Sequence, residues 1–399
     1  MTSEHELRDL SECTLVAANH KQFLEWCTAG MVPWGAHLSP ERYITDSERD
    51  FKEDWGKDGA LQVWALVRRD DPQGSILSAC ATQRRTGLVK RKGSSEVEKS
   101  HVYGIASVVT PVQNHKRGYA SHMLKLLHYI LADPSLIPSF PELWGQPPQA
   151  PDRKVIPYGI ASILWSDVGS IFYSKCTIGQ TRPGWVMPET KQSEIIWKTR
   201  APALQEGDER WERIRPTELP SIGQELRQSS VDALKSVDTS SKTVYTTDPS
   251  SVGLLDFIPL RGSWTWEDKD FNTADPCGLR FRSEYNGGSQ DTIIIFGTFN
   301  ASLGRRTLIT YVHNLDPRDL SSLLRVIDAI AFPLDQKEGW IFGLEESRHA
   351  ELIKAWQAES GREAKYGHRA EVMGHLLGVA YYGPEGEHEL LDPQMYSWC

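Results

Sequence analysis

No Cys-x-x-Cys pair occurs among the six cysteines, and no spacing between them repeats. Cys13, Cys27, Cys80, Cys176, Cys277 and Cys399 therefore read neither as a zinc knuckle nor as a disulfide framework, and a reducing compartment is expected. The twelve histidines include no HExxH pair and no Cys/His ligand spacing, so no metal is expected. The nucleophile elbow GxSxG, the P-loop GxxxxGKS/T and the dinucleotide fingerprint GxGxxG are all missing. No apolar run approaches the ~18 residues that span a bilayer. The start, Met1-Thr2-Ser3-Glu4-His5-Glu6, has neither the basic nor the apolar segment of a signal peptide. A soluble cytoplasmic protein without a membrane partner is the expectation. Basic residues are also short, 44 against 53 acidic for a net charge of −9. That balance argues against a nucleic-acid partner, because phosphate-backbone binding needs basic surface.

What is present suits a folded protein. Hydrophobic residues make up 39% and charged residues 24% of 399 positions, with 14 Trp, 13 Tyr and 11 Phe for cores and a lined pocket. The length exceeds one typical core, so two domains are expected. Apolar periodicity lapses in the charged stretch around 200–215, which divides the chain at 203/204.

In the first half, 15–27 has helical spacing, and Ser39-Pro40-Glu41 offers a helix start. Strands are expected at 61–68, 76–83 and 103–110, with 90–99 a solvated loop. A helix is expected over 118–131, then a Pro-rich insertion over 133–152. A strand at 158–165, a short helix at 169–175 and a strand at 194–197 close the unit. In the second half, strands at 292–299 and 306–313 precede helices at 317–331 and 345–358. The order is that of a mixed α/β (α+β) protein.

One segment carries chemistry. Tyr103-Gly104-Ile105-Ala106-Ser107-Val108-Val109-Thr110 is a strand that passes through a short polar loop into the helix at Gly118. The first backbone N–H groups of such a helix have no internal partner and sit at the positive end of its dipole. That corner suits a pyrophosphate, and Gly118 lets it approach the backbone; an ordinary strand–turn–helix corner is the alternative.

Here the chain resembles a family. His115-Lys116-Arg117-Gly118-Tyr119-Ala120 is similar to motif A of the GCN5-related N-acetyltransferases, (Gln/Arg)-x-x-Gly-x-(Gly/Ala), with His115 a departure at the first position. Leu164-Trp165-Ser166-Asp167 and Phe172-Tyr173 resemble that family's fifth strand and following helix. Trp34-Gly35-Ala36-His37-Leu38-Ser39, Ile105-Ala106-Ser107-Val108 and Arg117-Gly118-Tyr119-Ala120 together resemble the fungal lysine N6-acetyltransferase branch.

The resemblance implies a mixed sheet with splayed strands four and five (residues 1–203), and a related accessory or substrate domain (204–399). It implies acetyl-CoA as co-substrate, paired with backbone at Val108, Val109 and Thr110. Its pyrophosphate would rest on the segment His115, Lys116, Arg117, Gly118, Tyr119, Ala120 and Ser121. The implied reaction is acetyl transfer to a small-molecule amine, the side chain of L-lysine first, by direct attack in a ternary complex. A polyamine, a secondary-metabolite amine or a non-catalytic acyl-CoA-binding regulator stay open, and oligomeric state is not encoded in these motifs.

Tyr173 matches the position of the family's proton donor to the leaving thiolate, or is a core residue beside Phe172. Strand three reads Cys80-Ala81-Thr82-Gln83 and lacks the Glu that relatives carry there, so the base is not evident. Asp167 either attracts the substrate ammonium or caps the helix after Gly169. Trp34, Tyr43 and Trp165 either line the pocket or pack in the core. The tail Tyr396-Ser397-Trp398-Cys399 is aromatic; docked, it would bring the Cys399 carboxylate into the site as a base, or it packs for stability only. In the second half, Asn314-Leu315-Asp316-Pro317-Arg318-Asp319 has no glycine and two acids where phosphate would sit, so this domain is expected not to bind CoA.

Overall fold

The computed structural model describes residues 10–35, 38–264, 274–287, 289–301 and 304–398. Along the first half run β1 (Cys13–Ala17), α1 (His20–Trp34), α2 (Pro40–Asp50), β2 (Leu61–Arg68), β3 (Ser78–Lys90), β4 (Val97–Val109), α3 (Tyr119–Leu131), β5 (Ala161–Ser166), α4 (Ile171–Ser174) and β6 (Ser193–Lys198). The second half holds β7 (Trp211–Ile214), α5 (Leu219–Ser236), β8 (Thr243–Thr247), α6 (Phe257–Ser263), β9 (Gly278–Phe281), α7 (Ser283–Asn286), β10 (Thr292–Ala301), β11 (Gly304–His313), α8 (Leu320–Ala331), β12 (Glu338–Phe342), α9 (Glu346–Ala358), β13 (Lys365–His368), β14 (Leu376–Tyr381) and β15 (His388–Leu390). Among the described residues, no helix is long and apolar enough to cross a membrane.

Two mixed sheets result. The first runs β1-β2-β3-β4-β5-β14, with β8 on the far part of β3 and β15 on β8. Its strands are antiparallel except for β15 with β8 and β4 with β5, the latter pair running parallel through the crossover helix α3. This is the strand order of the GCN5-related N-acetyltransferases. The second sheet runs β13-β6-β12-β11-β10-β9-β7, and again one parallel pair, β11 and β12, is joined through a helix, α8. Two α/β units of related plan are therefore present, as the sequence suggested.

Several local readings need correction. Residues 13–17 are a strand: Cys13 and Leu15 are buried and β1 pairs antiparallel with β2. A short apolar run does not distinguish strand from helix. The helix begins only after Asn19, whose side chain accepts from the Gln22 amide while Gln22 accepts from the Asn19 amide. The expected loop at 90–99 is present but shorter, residues 91–96, since β3 continues to Lys90 and β4 starts at Val97. Lys90 is buried, its ammonium donating to the carbonyls of Lys235 and Val237.

The strand at 194–197 does not close the first sheet. As β6 it pairs with β12 and β13 in the second. The place beside β5 is filled by β14, from the other end of the chain. Across position 203, the first half thus gives β6 to the second sheet, and the second half gives β8, β14 and β15 to the first.

Packing divides the first sheet into two faces. On one, Leu164 and Tyr103 meet the buried side of α3, including Met123, Leu124 and Leu127. On the other, α1 covers β2 and β3 through Phe23 and Trp26. Trp165, Leu377 and Val379 on that same face meet Trp340 and Phe342 of β12.

Candidate active site

The register of β4 and β5 ends at Ile105 opposite Leu164, yet β4 continues to Val109 and β5 to Ser166. Between the paired positions Ala81–Ala106 and Ala79–Val109, β4 holds one residue more than β3. Ser107 absorbs this bulge with φ +48°, and its carbonyl accepts the Trp26 indole N–H at 3.0 Å. Ser78 Oγ then donates to the Val109 carbonyl at 2.8 Å and lies 3.0 Å from Thr110 Oγ1. Val108, Val109 and Thr110 are therefore held to β3, with their other edge turned to the gap left by β5.

The loop that follows ends in left-handed backbone at Lys116 (φ +61°) and Gly118 (φ +79°). Gly118 is the N-cap of α3 and supplies no side chain, so the amides of Tyr119, Ala120 and Ser121 are uncapped from within. A side chain at Gly118 would meet only Leu10 at contact distance, so the need for glycine is the backbone angle. A cleft of about 380 Å³ opens on these amides, lined by Thr110, Asn114, His115, Lys116, Arg117, Gly118, Ala120, Ser121 and Phe172, and by the backbone of buried Tyr119. Such a cradle fits a pyrophosphate. The sequence reading had not assigned Asn114 or Phe172 to this cleft. The His115 Nε2 bonds the Thr110 carbonyl at 2.8 Å and ties the loop closed.

Tyr173 lies on α4 next to Phe172, half-buried, edge-on to the Phe172 and Trp185 rings at 5.0 and 6.2 Å. Trp34 ends α1 and is 39% exposed, whereas Trp165 is buried beneath the Arg369 guanidinium, 5.2 Å from its ring. Burial lowers that guanidinium to about 9, still cationic at neutral pH. Tyr43 is raised to about 12 by burial. Asp167 does not cap the helix after Gly169. Glu371 does, accepting from the Ser170 amide at 2.6 Å and its hydroxyl at 2.7 Å. The Asp167 carboxylate instead meets His375 Nδ1 at 2.7 Å. His375 carries no motif in the sequence and was not foreseen there.

The tail is docked: Met395, Tyr396 and Ser397 are buried, and the Tyr396 hydroxyl donates to the Thr247 carbonyl at 2.9 Å. Cys399 lies outside the described residues, as do Ala36 and His37 of the fungal-type stretch.

In the second unit the matching corner is closed chemically. The Asp316 carboxylate accepts from the Arg318 amide at 2.9 Å and pairs with its guanidinium at 2.6 Å. An acid occupies the amide that a phosphate would need.

The first unit thus has a strand order like that of the GCN5-related N-acetyltransferases, with uncapped helix amides opening on a cleft at the mouth of its split sheet. No family model matches the chain. A stretch of 183 residues is 28% identical to the lysine acetyltransferase of Yarrowia lipolytica, covering 44% of this chain and 40% of that protein. The match therefore spans well under two thirds of that relative. Among solved structures, the GCN5-related N-acetyltransferases of Kribbella flavida (11% identity, TM-score 0.44) and Anabaena variabilis (12%, 0.45) align with 93% and 92% of this chain, and with 72% of each of theirs.

Proposed function

We propose that this chain is an acetyl-CoA-dependent N-acetyltransferase acting on a small-molecule amine, with the side-chain amine of L-lysine as the first candidate. One observation carries the reading: the uncapped amides at Gly118 open on a cleft beside the gap where β4 and β5 part. The segment from Lys116 to Ser121 would hold the pyrophosphate, and the free edge at Val108–Thr110 the pantetheine arm. Acetyl-CoA supplies an acyl group activated as a thioester. Tyr173 is assigned as proton donor to the leaving sulfur, and Trp34, Trp165 and Asp167 as acceptor-side residues. The lysine assignment is supported by the partial match to the Yarrowia protein.

Direct transfer is favoured over an acyl-enzyme. Cys176, in contact with Ser121 and Phe172 of the cleft, is raised by burial to about 11, so its thiolate is scarce at neutral pH. The test is incubation with acetyl-CoA and a panel of L-lysine, Nα-blocked lysine and spermidine, read by thiol release and mass spectrometry. Transfer to the lysine side chain is expected. Transfer only to the polyamine replaces the substrate, and binding without transfer makes the chain a regulator.

A further inference from the structure

On the transferase reading above, we infer that Trp26 of α1 is a positioning residue for acyl transfer. Its indole N–H holds the Ser107 peptide so that the Val108 amide faces the thioester oxygen. Ser107 stands where a glycine is ordinarily found, because a bulge that opens with a positive φ favours that residue. Its φ of +48° is left-handed backbone on a residue with a side chain, which persists only where the surroundings hold it. The hold is the Trp26 indole, which donates to the Ser107 carbonyl at 3.0 Å.

The extra residue changes the phase of β4. Ile105 and Val108 pack on the α3 face, whereas Ala106 and Val109 pack on the face that α1 covers. Equivalent positions are three apart here, against two in a regular strand. Ser107 and Val108 fall outside the β3 register, and the β5 register has already ended at Ile105. A trans peptide is planar, with its C=O and N–H pointing opposite ways. With the Ser107 carbonyl drawn toward α1, the N–H of the same peptide, that of Val108, points away from α1. It is the donor set beside the opening that β5 leaves.

Trp26 is itself fixed. It is 7% exposed and its ring packs on Phe23, centroids 5.7 Å apart. The helix is tied to the loop between β2 and β3. Gln22 Nε2 donates to the Pro72 and Gly74 carbonyls at 3.1 and 2.9 Å, and Glu25 accepts from the Ile76 amide at 2.8 Å. That loop in turn holds the phosphate corner, since Asn114 Nδ2 donates to the Ile76 and Leu77 carbonyls at 3.3 and 3.4 Å. One helix therefore sets both ends of the site, the thioester end through Trp26 and the pyrophosphate end through residues 72–77.

The amine, having left one proton to solvent, adds its nitrogen pair to the acyl carbon, and the C=O pair moves onto oxygen. The Val108 N–H bonds that oxygen more strongly than it bonds the ground-state carbonyl. As the pair returns, the C–S bond breaks. The sulfur takes its proton from Tyr173, and the surplus proton of the nitrogen restores Tyr173. Trp26 touches none of the reacting atoms and acts only through the Ser107–Val108 peptide.

The test uses the full chain. Trp26→Phe keeps a ring against Phe23 and removes the indole N–H. With acetyl-CoA and L-lysine, its kcat is expected to fall about 10- to 10²-fold, less than the ~10²- to 10³-fold cost of deleting an oxyanion donor outright, with CoA affinity by calorimetry within about twofold of wild type. A readout without turnover is the infrared carbonyl stretch of acetyl-CoA labelled with ¹³C at that carbonyl, bound without amine. Wild type is expected to lower it from the value in free acetyl-CoA, and Trp26→Phe to return it toward that value. Ser107→Val, whose β-branched side chain rejects positive φ, is expected to do the same with Trp26 intact, and it decides the matter if Trp26→Phe does not fold. Wild-type kcat or a wild-type stretch in the folded variant overturns the role of Trp26 and leaves the transferase reading intact. A wild-type chain that binds acetyl-CoA but acetylates no primary amine overturns both.

Discussion

The Arg85 guanidinium on β3 donates to the main-chain carbonyls of Ser397 and, at 2.9 Å, of Trp398, so a side chain of the central sheet holds the tail of the chain in place. Gln83 Oε1 accepts from the same group at 2.6 Å. This contact places the Trp398 ring against the His375 ring, 5.2 Å between centroids.

Replacing Arg85 with Leu strands buried carbonyls without a donor. A loss of about 2–4 kcal/mol in urea unfolding is expected, from unsatisfied buried groups at ~1–3 kcal/mol each. A change below about 0.5 kcal/mol, the range of neutral surface substitutions, would show that the tail docks without Arg85.

Gly118→Asp separates folding from ligand binding. Asp is a favourable N-cap residue, which offsets part of the cost of its positive φ, so the circular dichroism spectrum should match wild type. Its carboxylate would occupy the very amides assigned to the pyrophosphate. Acetyl-CoA affinity should fall at least about 10²-fold, or roughly 2.7 kcal/mol; unchanged affinity by calorimetry would move the cofactor elsewhere.

Tyr173→Phe keeps the edge-on packing with Phe172 and Trp185 and removes only the hydroxyl. A fall in kcat of about 10²- to 10³-fold is expected with acetyl-CoA binding retained. Wild-type turnover would return Tyr173 to a packing role.

Calorimetry should find one acetyl-CoA site per chain, because Asp316 occupies the matching corner of the second unit. A second equivalent would overturn that reading.

His128 predicts a pH dependence of stability. Its ring stacks on Trp185 at 4.2 Å, and its nitrogens bond the Tyr382 hydroxyl at 3.1 Å and the Cys176 carbonyl at 3.0 Å. Burial lowers it to about 3, against 6.5 ordinarily. The unfolded chain therefore binds the extra proton below pH 6.5. The contribution is complete above that value and is lost as pH falls toward 3, at about 1.4 kcal/mol per pH unit. His128→Gln should flatten the stability difference between pH 7.5 and 5. Parallel profiles for the two proteins by urea unfolding would remove His128 as the source.

What the sequence revealed followed local rules. Leu61–Arg68 and the helix ending at Leu131 were legible because their apolar patterns are long and bounded by turn residues or Gly118. Ser39 was legible as a cap because its hydroxyl accepts from the Arg42 amide, a contact made within one turn. β14, Leu-Leu-Gly-Val-Ala-Tyr, is buried at every position and has no alternation to read. The Asp167–His375 pair was hidden for a related reason. Asp167 lies in the strand-five stretch but His375 belongs to no motif, and only the pairing of β5 with a strand from the far end of the chain brings them together.

That strand exchange also sets an order of events during synthesis. β5 ends at Ser166, but the strand that covers its edge begins at Leu376. At roughly 5–20 residues per second on the ribosome, the edge of β5 waits on the order of ten to forty seconds for its neighbour. During that interval the split sheet lacks one wall, and β6 has left to await partners of its own. Neither unit completes its sheet until the other has been made, so the nascent chain passes through a stage with two unprotected strand edges.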